Sequence, residues 1–335
     1  KRPARAYPEK MLAGVGAAFK LVQALCERTG HRSWLPGFIK LAALGTLADV
    51  DQLRSENRVI AKVGLERLSQ GPHATGLRAL LEATGLLGET LTSFHVAFRL
   101  APRINAAGRM SSPDLAAQLL LLTGEQRANE ARGLAEQLEE ENLRRQQEEA
   151  DILAAARKKI DGDPDVGAHA ILVVWGEGWH RGVIGIVASK LVDLYHRPAV
   201  VLTVDGNEAH GSGRSISGFD LLASLEHCGE LFARFGGHRH AAGMTIDTAR
   251  LKELRRRLTA YANERLGPDD LTPRLRVDGA LPLSAITPEV VAGLRAMEPF
   301  GSGNRRPIFH TGSGSLASNP KVMKSRHLSM SVRQD

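Results

Sequence analysis

The sequence predicts an α/β protein in which a long polar helix joins a mostly helical N-terminal part to a compact α/β unit, followed by the start of a small β-barrel. Three observations carry this. HAILVVW (169–175) and PAVVLTV (198–204) read as short buried strands flanking a helical pattern over 183–195, a βαβ crossover that implies parallel pairing. The stretch 124–160 is rich in Glu, Gln, Arg and Ala, good helix formers with few apolar positions, as in a helix that bridges two domains. From Leu275 onward, short apolar runs alternate with glycine turns, the pattern of an incipient barrel.

The elements before the long helix are read from helical spacing. Leu12, Val15, Phe19, Val22 and Leu25 share one face of a helix over 9–28. A second apolar segment, 34–44, ends at GTLADV, and helical periodicity resumes over 56–68. Phe94 to Leu100 leads into APRINAAGRM, and Ser112-Pro113-Asp114 opens another helix with a capping hydroxyl, a first-turn proline and an early acid. After the crossover, a strand is expected over 208–214, a helix over 219–231, a turn at Gly236-Gly237-His238, a strand AAGMTI and a helix over 247–266. GPDDLTPR (267–274) reads as a linker. The expected divisions are therefore 1–123, 124–160, 161–268 and 272–335.

Composition narrows the function classes. With 43% hydrophobic and 24% charged residues the chain has an ordinary globular balance, and its net charge of +7 favours a polyanionic partner such as nucleic acid. Aromatic content of 4% argues against an extended base-stacking platform. Cys26 and Cys228 make neither a metal-ligand spacing nor a disulfide framework, which fits a reducing cytoplasm. No apolar run approaches the roughly 20 residues of a membrane span, and KRPARAYPEK lacks the apolar core of a signal peptide. The chain starts without Met and stops just after an alternating Leu328, Met330, Val332 stretch, so a fragment of a longer protein is expected.

Four short stretches carry candidate chemistry. Asp49 ends an apolar segment in GTLADVDQL, where an acid suits a hard divalent cation, though a turn acid would look the same; Asp51 begins the polar stretch beyond. In PRINAAGRM, Arg103, Asn105 and Arg109 stand among small residues and can wrap a phosphodiester, or can form a solvated surface turn. In GSGRSISGF, Ser212, Arg214 and Ser215 alternate with glycines, an anion pocket or a plain hairpin. Gly236, Gly237 and His238 allow close main-chain approach with a histidine donor beside it, or an ordinary tight turn. HRGVIGIVASK adds a helix opening at Arg181 and Gly182 whose amides can face an anion. No Walker loop, dinucleotide fingerprint, Gly-x-Ser-x-Gly elbow or HExxH motif occurs, so the convergent reading is phosphate handling.

In order along the chain, LAGVGAAFKL, LGTLADV, ENR, FRLAPRINAAGRM, WHRGVIGIVASKLVDLYHRPAVVLT, GSGRSISGFDL, FGGHRHAAGMTI and EPFGSGNRRPIF resemble the RecJ family of single-strand-specific DNA exonucleases, members of the DHH phosphoesterase superfamily. The resemblance spans nearly the whole chain, and GSGRS followed by GGHxxAAG is its most specific part. It implies the C-terminal part of a DHH domain (1–123), a linking helix (124–160), a DHH-associated α/β domain (161–268) and an incomplete oligonucleotide-binding (OB) barrel (272–335). It further implies a 5′-to-3′ exonuclease on single-stranded DNA acting in repair and recombination, with two Mn²⁺ or Mg²⁺ ions. Carried over by residue, Asp49 matches a metal-binding aspartate. Arg103, Asn105 and Arg109 match the stretch facing the substrate backbone. Ser212 and Arg214, with Ser215 beside them, match the pocket for the 5′-phosphate. Gly236, Gly237 and His238 match the turn beside the scissile phosphate, with His238 and Arg109 in the catalytic roles.

The resemblance also implies possible helicase and single-strand-binding-protein partners, and a cytoplasmic enzyme, expected to be a monomer. One departure stands out: no Asp-His-His triplet occurs, and Asp49 alone cannot hold two ions. The isolated chain is therefore expected to be inactive. Other readings are a DHH phosphoesterase for short oligonucleotides or phosphorylated nucleotides, a non-catalytic nucleic-acid-binding scaffold on the same fold, and a plain metabolic α/β enzyme.

Overall fold

The computed structural model describes Tyr7 and residues 9–324 and 327–334, so part of the N-terminal decapeptide read for a leader lies outside the described residues. By internal packing the chain divides into two units, Lys1–Pro102 with Leu275–Asp335, and Arg103–Arg274. No helix among the described residues is long and apolar enough to cross a membrane.

The first unit opens with α1 (Gly14–Thr29), α2 (Leu35–Ala48), α3 (Ser55–Gln70) and α4 (Thr75–Ala83). Helices α2 and α3 cross so closely that a Cβ on Gly64 would stand 2.2 Å from the Ala43 Cβ. The ENR triplet at the start of α3 acts as a three-way tie. Glu56 accepts from Tyr7 Oη at 2.6 Å and pairs with Lys20 at 2.8 Å. The amide of Asn57 accepts from the Ala13 N–H at 3.0 Å and donates to the carbonyls of Met11 and Gln52 at 2.8 and 3.1 Å. Arg58 donates to the Met297 carbonyl at 2.8 Å. A further helix runs without a break through α5 (Ser93–His95), a π-helical turn (Val96–Leu100) and α6 (Ala101–Met110), and the division between the units falls inside α6. PRINAAGRM is thus helical rather than a turn. Ala106 and Ala107 are fully buried, so their small size serves helix packing.

The second unit continues with α7 (Asp114–Leu121), α8 (Ala128–Asp161) and α9 (Pro164–Ala168). The 34 residues of α8 span about 51 Å at 1.5 Å per residue. The helix lies wholly in this unit and is not polar all round. Ala131, Ala135, Leu138, Asn142, Glu149, Ile152, Ala156 and Ile160 form a buried stripe at steps of three, four and seven. Alanines, Asn142 and Glu149 disguise that stripe in the sequence.

The crossover then forms as expected: β1 (Leu172–Glu177), α10 (Ile184–Tyr195) and β2 (Ala199–Asp205), with β1 and β2 parallel and Leu172 opposite Ala199. β3 (Glu208–Arg214), the short α11 (Leu221–Glu226), β4 (Phe232–His238), β5 (Ala241–Asp247) and α12 (Leu251–Asn263) complete a five-stranded sheet of order β1-β2-β3-β5-β4. The helix expected over 219–231 is this short because a 3₁₀ turn at Gly229–Leu231 leads into β4. The Gly236-Gly237-His238 triplet is the end of β4, not a turn; the reversal is at Arg239 and His240.

One sheet face packs on α12 through Ala209, Ala242, Met244, Ile246, Leu254 and Leu258. The other packs, over β1 and β2, on α8 and α10 through Val174, Val201, Ile152, Val187 and Leu191. Gly237 has φ +154°, and a Cβ there would stand 2.3 Å from the Ala241 carbonyl oxygen. Gly236 next to it would meet nothing within 4 Å. The two glycines therefore answer to different constraints, close strand packing at 237 and open space at 236.

The C-terminal part returns to the first unit. β6 (Gly279–Ala280), α13 (Pro288–Ala296), β7 (Phe309–His310), β8 (Ser315–Leu316), β9 (Lys321–Met323), β10 (His327–Ser329) and β11 (Val332–Arg333) form three two-stranded pairs, β6 with β7, β8 with β11 and β9 with β10. Among the described residues these do not close into a barrel. The EPFGSGN segment is a clip on the first unit: the Leu53 amide donates to the Ser302 carbonyl at 2.7 Å, and Ser93 Oγ to the Phe300 carbonyl at 2.6 Å.

Two stability outcomes follow from this packing. Asn57→Ala leaves the buried Ala13 N–H, and the carbonyls of Met11 and Gln52, without their Asn57 partner and is expected to cost about 1–3 kcal/mol, read as a fall in the urea midpoint; an unchanged midpoint would refute the tie. Gly237→Ala is expected to lower the midpoint through strand overpacking, by about 1–3 kcal/mol, while Gly236→Ala leaves it near wild type. Equal effects would mean that the two sites are not distinct.

Candidate phosphate-binding face

The antiparallel register of β3, β5 and β4 lines up four of the sequence candidates, Ser212, Arg214, Gly236 and His238, in two successive rows. Arg214 lies opposite Ala241, which lies opposite His238. Ser212 lies opposite Gly243, which lies opposite Gly236. Residues two apart along a strand share a face, so Ser212, Arg214, Ala241, Gly243, Gly236 and His238 all belong to the face opposite α12. Gly213, Ala242 and Gly237 alternate onto the core side, where a Cβ on Gly213 would meet Leu221 at 2.8 Å. Arg214 and His238 are two strand spacings apart, roughly 10 Å. Between them lies a floor of Ala241, Gly243 and Gly236 with almost no side-chain matter on it.

Arg214 is held at the helix-covered edge of this floor. Its Nη1 donates to Ser212 Oγ at 3.0 Å and to the Gly213 carbonyl at 2.8 Å. Gly185 in the first turn of α10 leaves room for the pair, since a Cβ there would come within 3.0 Å of Ser212 Oγ and 3.1 Å of Arg214 Nη2. Desolvation, and then the charge of Arg109, hold the Arg214 pKa below the ordinary arginine value. Arg109, at the end of α6, donates Nη1 to the Gly182 carbonyl at 3.1 Å. Its own pKa is lowered by desolvation and by Arg145, with Glu149 opposing. Neither Arg109 nor Arg214 has a carboxylate partner among the described residues. Two guanidiniums that feel one another, Arg214 half-buried and Arg109 exposed beside it, form a site an anion would relieve.

At the far edge, the His240 amide donates to His238 Nδ1 at 3.2 Å. In the neutral ring the proton then sits on Nε2, so the exposed His238 presents a donor. The Ser215 amide donates to the His240 carbonyl, and the Leu221 amide to the Arg239 carbonyl, which fixes the reversal that carries this histidine.

Other candidates are engaged elsewhere. Arg103 makes a two-pronged ion pair with Glu139 of α8. Asn105 is exposed on α6. Ser215 Oγ donates to the Phe219 carbonyl at 2.9 Å, a local turn bond. The opening of α10 does not offer the Gly182 amide expected of it: Gly182 N donates to His180 Nδ1, and Val183 N and Ile184 N donate to the His180 carbonyl. Gly182 is instead needed because a Cβ there would stand 2.2 Å from the Arg109 carbonyl oxygen. Sequence reading missed the group behind Arg109, where buried Glu149 binds both Arg145 and Lys190. The i, i+4 spacing of Arg145 and Glu149 was its only signal.

Asp49 lies in the other unit. It caps the C-terminus of α2, with its amide bonded to the Gly45 carbonyl at 3.0 Å, and its side chain is exposed with no ion-pair partner among the described residues. The apolar segment before it is a helix, so Asp49 does not end a strand. No group of three or more His, Cys, Asp or Glu residues able to hold a metal ion occurs among the described residues. This chain's described residues do not by themselves build a two-ion centre.

Comparison with known proteins accords with this geometry. The DHHA1 domain family matches residues 167–264 and the RecJ OB domain family residues 277–335. The single-stranded-DNA-specific exonuclease RecJ of Bacillus subtilis is 38% identical over 339 residues, covering 100% of this chain and 42% of that protein. The crystal structure of RecJ from Thermus thermophilus in complex with Mn²⁺ superposes with TM-score 0.78 at 31% identity, covering 97% of this chain and 53% of that one. The Mg²⁺ complex of the same protein gives TM-score 0.78 at 31% identity, covering 98% and 56%. The chain spans about half the length of the relatives it matches. With its DHHA1 and RecJ OB domains and its likeness to RecJ over its whole length, the chain belongs to the RecJ family.

Proposed function

We propose that this chain is the strand-gripping portion of a metal-dependent 5′-to-3′ exonuclease on single-stranded DNA, acting in repair and recombination. The observation that supports it most is the bare floor of Gly243 and Gly236 set between the Ser212–Arg214 pair and His238. In this reading Ser212 and Arg214 bind the 5′-terminal phosphate. Arg109 and the Nε2–H of His238 contact the phosphodiester to be cut, as preorganised donors. Gly236 lets the backbone of the strand approach the sheet, and Gly237 lets β4 and β5 close behind it. Arg103 and Ser215 position α6 and the 215–219 turn, and Asn105 faces the strand from the exposed side of α6.

Asp49 supplies one carboxylate toward a divalent ion, Mn²⁺ or Mg²⁺. An exposed acid at the negative end of a helix is locally unfavourable. Val50 beside it has φ +55°, a backbone region that β-branched residues rarely adopt. Both features support a role other than stability. The divisions proposed are the C-terminal part of a DHH domain over 1–123, a linking helix over 124–160, a DHH-associated domain over 161–268 and part of an OB domain over 272–335. A cytoplasmic monomer that meets a helicase or a single-strand-binding protein is proposed on the family resemblance.

The test is a paired assay of this chain with a 5′-phosphorylated single-stranded oligonucleotide and Mn²⁺. Salt-dependent binding without nucleotide release is the expected result; no binding would sink the reading, and release would place metal ligands within this chain. Arg214→Ala is expected to weaken binding at least tenfold and to abolish the preference for a 5′-phosphate over a 5′-hydroxyl. Gly236→Ala is expected to weaken binding while leaving the fold intact.

A further inference from the structure

Beyond the bare row, the same face carries a second polar row that the proposed function does not use. His210 lies opposite Thr245, and Thr245 opposite Arg234. The three side chains form a directed chain. Arg234 Nε donates to Thr245 Oγ1 at 3.1 Å, and Thr245 Oγ1 is 3.3 Å from His210 Nδ1. The Glu208 carboxylate beside His210 Nε2 favours the neutral tautomer with its proton on Nε2, and Nδ1 then accepts from the Thr245 hydroxyl, whose oxygen accepts from Arg234. Nε2 is buried without a hydrogen-bond partner, and the Glu208 carboxylate is 3.6 Å from it.

Arg234 is therefore pinned through Nε while its terminal nitrogens have no carboxylate partner among the described residues. The row borders a cavity of about 330 Å³ lined by His210, Arg234, Gly236, Gly243 and Thr245. Four residue steps along β3 separate the row of His210 from that of Arg214, about 13 Å of strand. The next row outward pairs Glu208 with Asp247, both acidic, which ends the anion-favouring strip.

We propose that Arg234, held by Thr245 and His210, forms a second phosphate subsite. It takes a phosphodiester of the bound strand downstream of the one at Arg214. The proposal rests on the reading of this face as a strand-binding surface. A fixed guanidinium fork beside an open glycine floor suits phosphate. The distance from Arg214 is too great for one phosphate to serve both sites, and the acidic row turns the strand off the sheet beyond Arg234. Arg234 is the contacting group, and Thr245 and His210 are positioning residues.

The test measures binding of two probes to the full 335-residue chain, thymidine 5′-monophosphate and a 5′-phosphorylated thymidine hexanucleotide, across a salt series. Arg234→Gln is expected to weaken the hexanucleotide about tenfold, to reduce the slope of log affinity against log salt by about 0.7, and to leave the mononucleotide unchanged. Thr245→Val, which keeps the shape and removes the hydroxyl, is expected to weaken only the hexanucleotide, severalfold. Hexanucleotide affinity and slope unchanged in Arg234→Gln overturn the subsite while leaving the proposed function standing. Equal losses for both probes overturn it too, because Arg234 would then act on the first phosphate or on the fold. A wild-type chain that binds neither probe removes the proposed function itself and the subsite with it.

Discussion

The register between β3, β5 and β4 is the constraint on which the candidate face depends. A slip of one residue between β3 and β5 would turn Ser212 and Arg214 toward the α12 core and bring Gly213 to the outer face. The core enforces the register from behind. Ala242, Met244 and Ile246 are buried on the α12 side, and Gly211 and Gly213 leave space there for Met244 and Leu221. Hydrophobic burial on one face thus fixes polar placement on the other. The Arg214–Ser212 bond is local to β3 and cannot set the register, whereas the Arg234–Thr245–His210 chain crosses all three strands in the register the core sets.

The arginines separate into two populations, and charge pairing decides which can meet a ligand. Arg103 and Arg145 are held by Glu139 and Glu149 along α8. Their burial is compensated, and their part is to anchor α6 and the stripe of α8. Arg109, Arg214 and Arg234 bond only to carbonyl or hydroxyl oxygens in the structure described. Those bonds orient a guanidinium without neutralising it. An excess of positive charge in the sequence, +7 overall, says nothing about this division. It emerges only when the acids of α8 are placed.

Period and glycine chemistry made the α/β unit legible in the sequence. The β1–α10–β2 crossover is there because a buried parallel strand is a short run of Val, Ile and Leu, and the helix between repeats at 3.6 residues. The same logic failed on α8, whose buried stripe includes Asn142 and Glu149 and so hides its period. It failed at His238 in a different way. Consecutive glycines read as a turn, yet here they extend a strand, because Gly237 meets the β5 backbone and Gly236 has nothing above it. Local sequence cannot tell a glycine that bends the chain from one that lets two strands close. The Gly182 amide at the opening of α10 was misjudged because His180, two residues upstream, takes it.

Asp49 shows how distant in sequence the residues that fasten one loop are. Its carboxylate sits where the helix field disfavours it, and the loop after it is fastened at Leu53 by the EPFGSGN clip. A Cβ on Gly301 would stand 2.8 Å from Leu53 Cδ1, and Arg54 Nε bonds the Gly303 carbonyl at 3.2 Å. Residues some 250 positions downstream thus lock the loop that follows a single acid. The close contacts of Gly301 with Leu53 and of Gly303 with Gln52 and Arg54 leave no room for a side chain at either glycine, and Gly303 has φ +74°. The clip therefore gives a physical reason for the glycine-rich EPFGSGN motif, although that motif carries no reactive group of its own.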